Sequence, residues 1–218
     1  MLKATFTSIV ILLSLASCSS TQVEKIIVSS NYERDFIYPK NTQSLVFINQ
    51  QTYEQPLYGS SLRYENRYFD QDEVSVYTYP IRHFYWQNNN HLLESEMNNI
   101  FMEIDNAVDQ GIYHKRIGKD VETFEVSETG KMFNGLRATT KIVLASGAEY
   151  NSYSYLFMQK DKFIKFRISQ PNAGNFIQAP DNIIEELLPQ ISVPGESSYM
   201  AQLRLLHKQE YEQTMSKN

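Results

Sequence analysis

The sequence predicts an α+β fold: an antiparallel β-sheet meander with one long helix and C-terminal helices packed against it. Several segments alternate apolar and polar residues with a period of two, as strands with one buried and one solvated face do. Other segments repeat apolar residues at steps of three and four, the pattern of a helix that packs by one face. Because strands come first, then a helix, then more strands and helices, the order is typical of α+β proteins.

The strand candidates are short and rich in aromatic residues. In one of them Leu62, Tyr64 and Tyr68 share a face by period two, while the intervening residues are charged. The last four candidates are separated by turn-forming segments of hairpin length, which predicts a meander. The strand candidates are residues 44–49, 62–69, 73–81, 121–126, 132–144, 152–158 and 163–169.

The longest helix is predicted at residues 91–110, where an apolar stripe runs from Leu93 to Val108 and Gly111 is placed to end it. Shorter helices are predicted at residues 181–191 and 197–214.

The last of these helices follows a break at Pro194-Gly195. Met200, Leu203 and Leu206 form its predicted apolar stripe, with Arg204 among the charged residues that flank it. A helix this short must bury its stripe, either on the protein's own sheet or on a partner.

The N-terminus has the features of an export signal. Lys3 precedes an uncharged apolar run from Ala4 to Ala16, which is too short to cross a bilayer. The run ends in Leu15-Ala16-Ser17-Cys18, which resembles the lipobox of bacterial lipoproteins. In that family the cysteine thiol, a strong nucleophile, is alkylated with a diacylglyceryl group and the chain is cleaved just before it.

The lipobox resemblance implies a membrane anchor at Cys18. Ser19 stands where an Asp would retain a lipoprotein at the inner membrane, so the resemblance favours the outer membrane. We expect the chain to lie on the periplasmic face of that membrane. The alternative is an ordinary signal peptide that is removed together with a chance cysteine.

The composition excludes an internal disulfide and disfavours one class of partner. Cys18 is the sole cysteine, so no disulfide can form within the chain. The formal net charge is −5 and there is no basic block, which argues against nucleic acid as a partner. We expect four regions along the chain. They are a signal peptide (1–17), a lipidated tether (18–31), a single α+β domain (32–195) and a C-terminal amphipathic helix and tail (196–218).

A late hairpin, "YLFMQKDKFIKFRIS", precedes the C-terminal helices. Together with the order of elements, it resembles the Mog1/PsbP-like sandwich of some exported lipoproteins. The resemblance implies that fold and no particular function.

No motif for catalysis or for a cofactor is present. The sequence lacks G-x-S-x-G and the glycine-rich loops that cradle phosphates. His83 and His91, together with Glu94 or Glu96, suggest a metal site, but His83 is not at any standard zinc spacing, and solvated or helix-capping residues are the alternative. We expect no enzymatic activity, no metal and no cofactor.

Two candidate ligand or partner surfaces stand out. Phe84, Tyr85 and Trp86, followed by amides, could stack on a sugar or grip a peptide, or the Trp could fill the core beneath a polar loop. Lys165 and Arg167 make the solvated face of a strand basic. They could meet an anionic glycolipid or an acidic protein surface, or they could protect a sheet edge from strand pairing.

The leading functional hypothesis is an outer-membrane-anchored periplasmic lipoprotein that acts as a non-enzymatic binding or accessory module for an envelope component. The partner would be an envelope protein or an anionic envelope glycolipid. The alternative is a small hydrolase or metal-dependent envelope enzyme whose site is assembled from distant residues.

Overall fold

The computed structural model describes residues 32–69, 73–88, 91–128, 130–172 and 178–216. Within these residues, seven antiparallel strands form one sheet in the order β1-β2-β3-β7-β6-β5-β4. This confirms the predicted α+β class, the antiparallel sheet and the final meander. The strands are β1 Leu45–Thr52, β2 Ser60–Asn66, β3 Glu73–Pro80, β4 Lys115–Glu128, β5 Lys131–Val143, β6 Glu149–Gln159 and β7 Lys162–Pro171.

The strand predictions hold, with two differences. β4 begins at Lys115, well before the predicted start at residue 121, because its first residues are polar and pair along the sheet edge without an apolar alternation. The period-two pattern also predicts that Tyr68 shares the buried face of Leu62 and Tyr64. Tyr68 lies beyond the end of β2 and is 64% exposed, so that prediction is wrong.

The predicted helices are also present. The helix predicted at residues 91–110 ends as expected at Gly111, whose φ of 73° suits glycine. The Gly111 N–H donates to the Val108 carbonyl and the Ile112 N–H to the Ala107 carbonyl, each over 2.9 Å, which is a Schellman motif. The helices are α1 Tyr32–Asp35, α2 Leu92–Asp109, α3 Pro180–Leu187 and α4 Ser198–Met215, with single 3-10 turns at Pro56–Tyr58, Trp86–Asn88 and Leu188–Gln190.

Helices cover both faces of the sheet, so the strands contribute to two cores. On one face α1 and α3 pack with the fully buried Tyr64, Tyr155 and Phe166. On the other face α2 packs against β4, β5 and β6 through its buried stripe, which consists of Leu92, Met97, Ile100, Phe101 and Ile104.

β7 alternates between these two cores. Ile164 and Phe166 point to the α3 side, whereas Phe163, Lys165 and Arg167 occupy positions of the α2 side. The same alternation in β3 sends Tyr77 and Tyr79 to the α2 side.

The packing of α4 differs from the predicted stripe. Met200 is buried, but Leu206 is 56% exposed and Arg204 is only 5% exposed. The prediction is therefore wrong for both Leu206 and Arg204. The physical reason is that the Arg204 guanidinium finds buried acceptors, among them the Asp161 carboxylate, so that an arginine can occupy the inward position.

The predicted lipid site Cys18, the signal peptide 1–17 and the tether 18–31 lie outside the described residues. No helix in the described part of the chain has the length and apolar character needed to span a membrane.

Candidate binding cleft

A cleft of about 480 Å³ opens on the α2 side of the sheet. Its volume is in the range of about 300 to 1,000 Å³ that small-molecule sites have. Three walls form it: the loop after β1, the surface of β3 and β7, and the first half of α2. Because these segments are far apart in the sequence, only folding brings them together.

The loop after β1 forms the outer wall with Tyr53 and Tyr58. Their rings pack edge to face with centroids 6.3 Å apart, and Tyr58 is 60% exposed. Gly59 fixes this loop, since its φ is 65° and a Cβ atom there would lie 2.0 Å from the Thr78 carbonyl oxygen. The close approach of loop and strand therefore requires a glycine.

The floor of the cleft is aromatic and carries one cation. Tyr77 and Tyr79 of β3 lie directly across from Lys165 and Phe163 of β7. The Lys165 ammonium is 5.1 Å from the centroid of the Tyr77 ring and 5.6 Å from that of Tyr79, within the range of cation–π attraction.

α2 supplies carboxylates to the third wall. Glu96 accepts a hydrogen bond from the Tyr79 hydroxyl at 2.7 Å and another from Asn99 Nδ2 at 3.1 Å. Burial, reinforced by the nearby Glu96 charge, raises the pKa of Tyr79 well above its usual range. Tyr79 therefore stays a neutral hydroxyl that orients Glu96 at physiological pH.

A second cavity of about 210 Å³ lies next to the first on the same face. Tyr77, Glu103 and Lys165 line both cavities, so Lys165 stands between them. Together the two follow α2 from Leu92 to Ala107, a distance of about 22 Å at 1.5 Å per residue. We call these two neighbouring cavities together the α2 groove.

Lys165 and Arg167 both face the α2 groove. The Lys165 ammonium pairs with a Glu103 carboxylate oxygen 3.2 Å away, and Arg167 Nη2 donates to the Tyr113 hydroxyl at 2.6 Å. The alternative role proposed from the sequence, protection of a sheet edge, is wrong, because β7 pairs with β3 on one side and β6 on the other. Lys165 and Arg167 therefore lie on one face of a central strand and not at an edge of the sheet.

The aromatic segment lies beside the groove without lining it. Trp86 packs against the α2-side core, and the Arg204 guanidinium is 5.9 Å from its ring. Phe84 contacts the ring of Tyr211 at 5.5 Å, and Tyr85 is 45% exposed. Phe84 and Trp86 thus contact α4.

The structure therefore does not bring the two sequence-predicted surfaces together in one site. Arg82 and His83, just before the aromatic segment, are the nearest residues along the chain that do line the groove.

Four tyrosines of the groove, Tyr53, Tyr58, Tyr77 and Tyr79, are not indicated by the sequence, and Glu96 is indicated only as a candidate metal ligand. A partial signal existed for two of them, since Tyr77 and Tyr79 fall on the polar side of a strand whose other side is Val74 and Val76. Nothing in the local pattern around Tyr53 or Tyr58 indicates that the loop folds over β3.

The suggested metal ligands do not form a metal site with one another. His91 Nδ1 lies 3.2 Å from a Glu94 carboxylate oxygen on the exposed start of α2, whereas His83 and Glu96 line the groove. In the part of the chain that the structure describes, no three His, Cys, Asp or Glu side chains are close enough to hold a metal ion.

No protein-family profile matches the chain, and no curated protein does. Among solved structures, the chain is similar to the cyanobacterial PsbP protein (CyanoP) of Synechocystis, known from its solution structure. The identity is 13% and the TM-score 0.41, over 83% of this chain and 99% of that one.

Proposed function

We propose that the chain is an exported lipoprotein, anchored through Cys18 at the periplasmic face of the outer membrane, and that it acts as a non-enzymatic binding module for an envelope component. The lipobox at Leu15-Ala16-Ser17-Cys18 supports the anchor. More than one acyl chain on the cysteine would make attachment lasting, because a single chain binds a membrane only marginally.

The observation that carries the binding role is the α2 groove. Tyr77 and Tyr79 line its floor, and the exposed ring of Tyr58 lines its rim. Aromatic rings pack well against the apolar face of a ring in a ligand. Glu96 and Lys165 can form hydrogen bonds with polar groups of the same ligand. An open aromatic surface with a few fixed polar groups is typical of ligand sites.

Binding of envelope components to the lipidated chain in detergent micelles tests this proposal. The probes are soluble peptidoglycan fragments, saccharides released from the outer membrane and short envelope peptides, followed by calorimetric titration. At least one should bind, and Tyr58→Ala should weaken that binding at least tenfold. Tyr68→Ala is the matched control, because Tyr68 is 64% exposed and lies outside the groove. Equal affinities for the two variants would overturn the proposal.

A hydrolase is the second candidate, and the carboxylate of Glu96 in the groove is the observation that favours it. Tyr79 and Asn99 already hold that carboxylate, an arrangement that also suits a binding role. Mass spectrometry of each bound probe after prolonged incubation separates the candidates. Product that forms with the native chain and not with Glu96→Gln would establish the enzyme and contradict the binding module.

A further inference from the structure

We propose that the ligand of the α2 groove is an acidic saccharide whose carboxylate or phosphate group is held by Lys165 and Arg167. This inference rests on the proposed function, because it identifies the chemistry of the ligand that the same groove would bind. The sugar rings would occupy the larger cavity, and the acid group would lie at the smaller one.

Lys165 and Arg167 are two positions apart on β7 and face the same way, so their Cα atoms are about 7 Å apart. The partner of Lys165 is Glu103, whose side chain is 64% exposed while that of Lys165 is 15% exposed. An exposed carboxylate contributes little to such a pair, so a ligand anion can displace it at small cost.

Arg167 is more available than Lys165 to bind a ligand anion. Among the described residues, no carboxylate lies within salt-bridge distance of its guanidinium, and the hydroxyl of Tyr113 orients the group at 2.6 Å. A guanidinium can donate two parallel hydrogen bonds to a carboxylate or phosphate. The Arg167 guanidinium is therefore oriented by Tyr113, and no carboxylate in the described part of the chain pairs with it.

Hydroxyl groups stand on both sides of Arg167. Ser75 of β3 and Ser154 of β6 are its direct cross-strand neighbours, each about 5 Å away between Cα atoms. Ser154 lines the smaller cavity, although it is only 6% exposed. Such hydroxyls can donate to the remaining oxygens of a bound acid group.

The position of the groove favours a saccharide over a peptide. Its floor is formed by β3 and β7, and both strands are paired on both sides. Their backbone N–H and C=O groups are already used in the sheet, so an extended peptide cannot add to them as a further strand. A saccharide needs only side-chain contacts, which the tyrosines, Glu96 and Lys165 offer.

Titration of the lipidated chain in micelles with paired saccharides tests the inference. The probes are trigalacturonic acid, its neutral methyl ester and glucosamine 6-phosphate, and anionic phospholipid vesicles and an acidic peptide form separate arms. An acidic saccharide should bind at least tenfold more tightly than the neutral ester, and the difference should shrink as salt is raised. Comparison of the uronate with the sugar phosphate identifies the preferred acid group.

The double variant Lys165→Gln/Arg167→Gln should remove this preference, so that the acidic saccharide and the neutral ester bind with equal affinity. Lys131→Gln, an exposed cation at the distant β4–β5 turn, is the matched control, and Lys165→Arg should retain most of the binding. Melting temperatures of all variants confirm that each is folded.

The outcomes separate the two proposals. Tyr58-dependent binding of acidic and neutral saccharides with equal affinity would overturn the inference and keep the binding module. The inference is likewise overturned if the double variant keeps the acid preference, if vesicles or an acidic peptide bind more tightly than any saccharide, or if no saccharide binds.

Discussion

Arg204 of α4 and Asp161 of the β6–β7 turn form a buried ion pair, with Nη1 and Oδ2 3.1 Å apart. Arg204 Nε also donates to the Ile81 carbonyl at 3.1 Å, and the second Asp161 oxygen accepts from Lys162 Nζ at 2.7 Å. Glu196 completes the contacts of the guanidinium. Through these bonds α4 is attached to the end of β3 and to the turn that precedes β7.

Replacement of Arg204 should therefore strongly destabilise the protein. Arg204→Met removes the donors and leaves the Ile81 carbonyl and part of the Asp161 charge buried without them, which typically costs about 3 to 5 kcal/mol. Lys162 still neutralises one Asp161 oxygen, so we expect a loss of roughly 3 kcal/mol in the free energy of unfolding, measured in urea. Lys208→Met on the same helix, where the side chain is 57% exposed, should change it by less than about 0.5 kcal/mol. A loss below about 1 kcal/mol for Arg204→Met would show that the pair is not integral to the fold.

Gly59→Ala should loosen the loop that forms the outer wall of the α2 groove. The new Cβ would lie 2.0 Å from the Thr78 carbonyl oxygen, so the backbone must move, and the positive φ adds strain of about 1 kcal/mol. We expect a lower melting temperature and weaker ligand binding. Gly195→Ala is the control, since nothing lies within 4 Å of its Cβ position. Equal melting temperatures for the two variants would contradict the close approach of loop and strand.

Glu186 should make the free energy of unfolding fall as the pH becomes acidic. Burial opposes its ionisation, but hydrogen bonds from Ser44, Thr42 and Gln178 outweigh burial and hold the pKa below its ordinary value of 4.5. The folded carboxyl thus binds a proton less readily than the unfolded one. Its stabilising contribution is complete above the ordinary value and is lost as pH falls through the lower, folded-state pKa.

Glu186→Gln should consequently flatten the decline of stability between about pH 5 and pH 2, which urea unfolding at several pH values measures. Glu185→Gln, at an exposed position on the same helix, is the comparison. A native-like decline in the Glu186 variant would show that the hydrogen bonds to Ser44 do not favour the charged form.

Cys18→Ser should abolish incorporation of labelled fatty acid and leave the chain in the precursor or soluble fraction. A serine hydroxyl is too weak a nucleophile to replace the thiol in the alkylation. Gel analysis of labelled cells, with Ser19→Ala as the control, measures this. Label that survives the loss of the thiol would refute the lipobox interpretation.

Most strands and helices could be predicted because they leave a local pattern, as Leu136, Ala138 and Thr140 do in β5. Helix α1 and the first residues of β4 leave none and are not predicted. The strand order could not, because the antiparallel pairing of β3 with β7 joins segments some ninety residues apart and has no local signal. Lys165 and Arg167 could therefore be recognised as a basic face, but their central position in the sheet could not.

Arg204 shows a different kind of limit. A periodic pattern treats arginine as a surface residue, and its burial depends on acceptors that the fold supplies from Asp161 and Ile81. The groove could not be predicted for a related reason, since Tyr58, Tyr77 and Glu96 come from three segments with no common motif.

Photo-crosslinking in living cells tests the central claim, that the α2 groove holds an envelope ligand, most directly. A photoreactive phenylalanine analogue would replace Tyr58 in one variant and Met132 in another, since both side chains are more than half exposed and Met132 lies on the β4–β5 hairpin. We expect a saccharide adduct from position 58, identified by mass spectrometry, and none from position 132. Adducts of equal yield at both positions, or none at position 58, would contradict it.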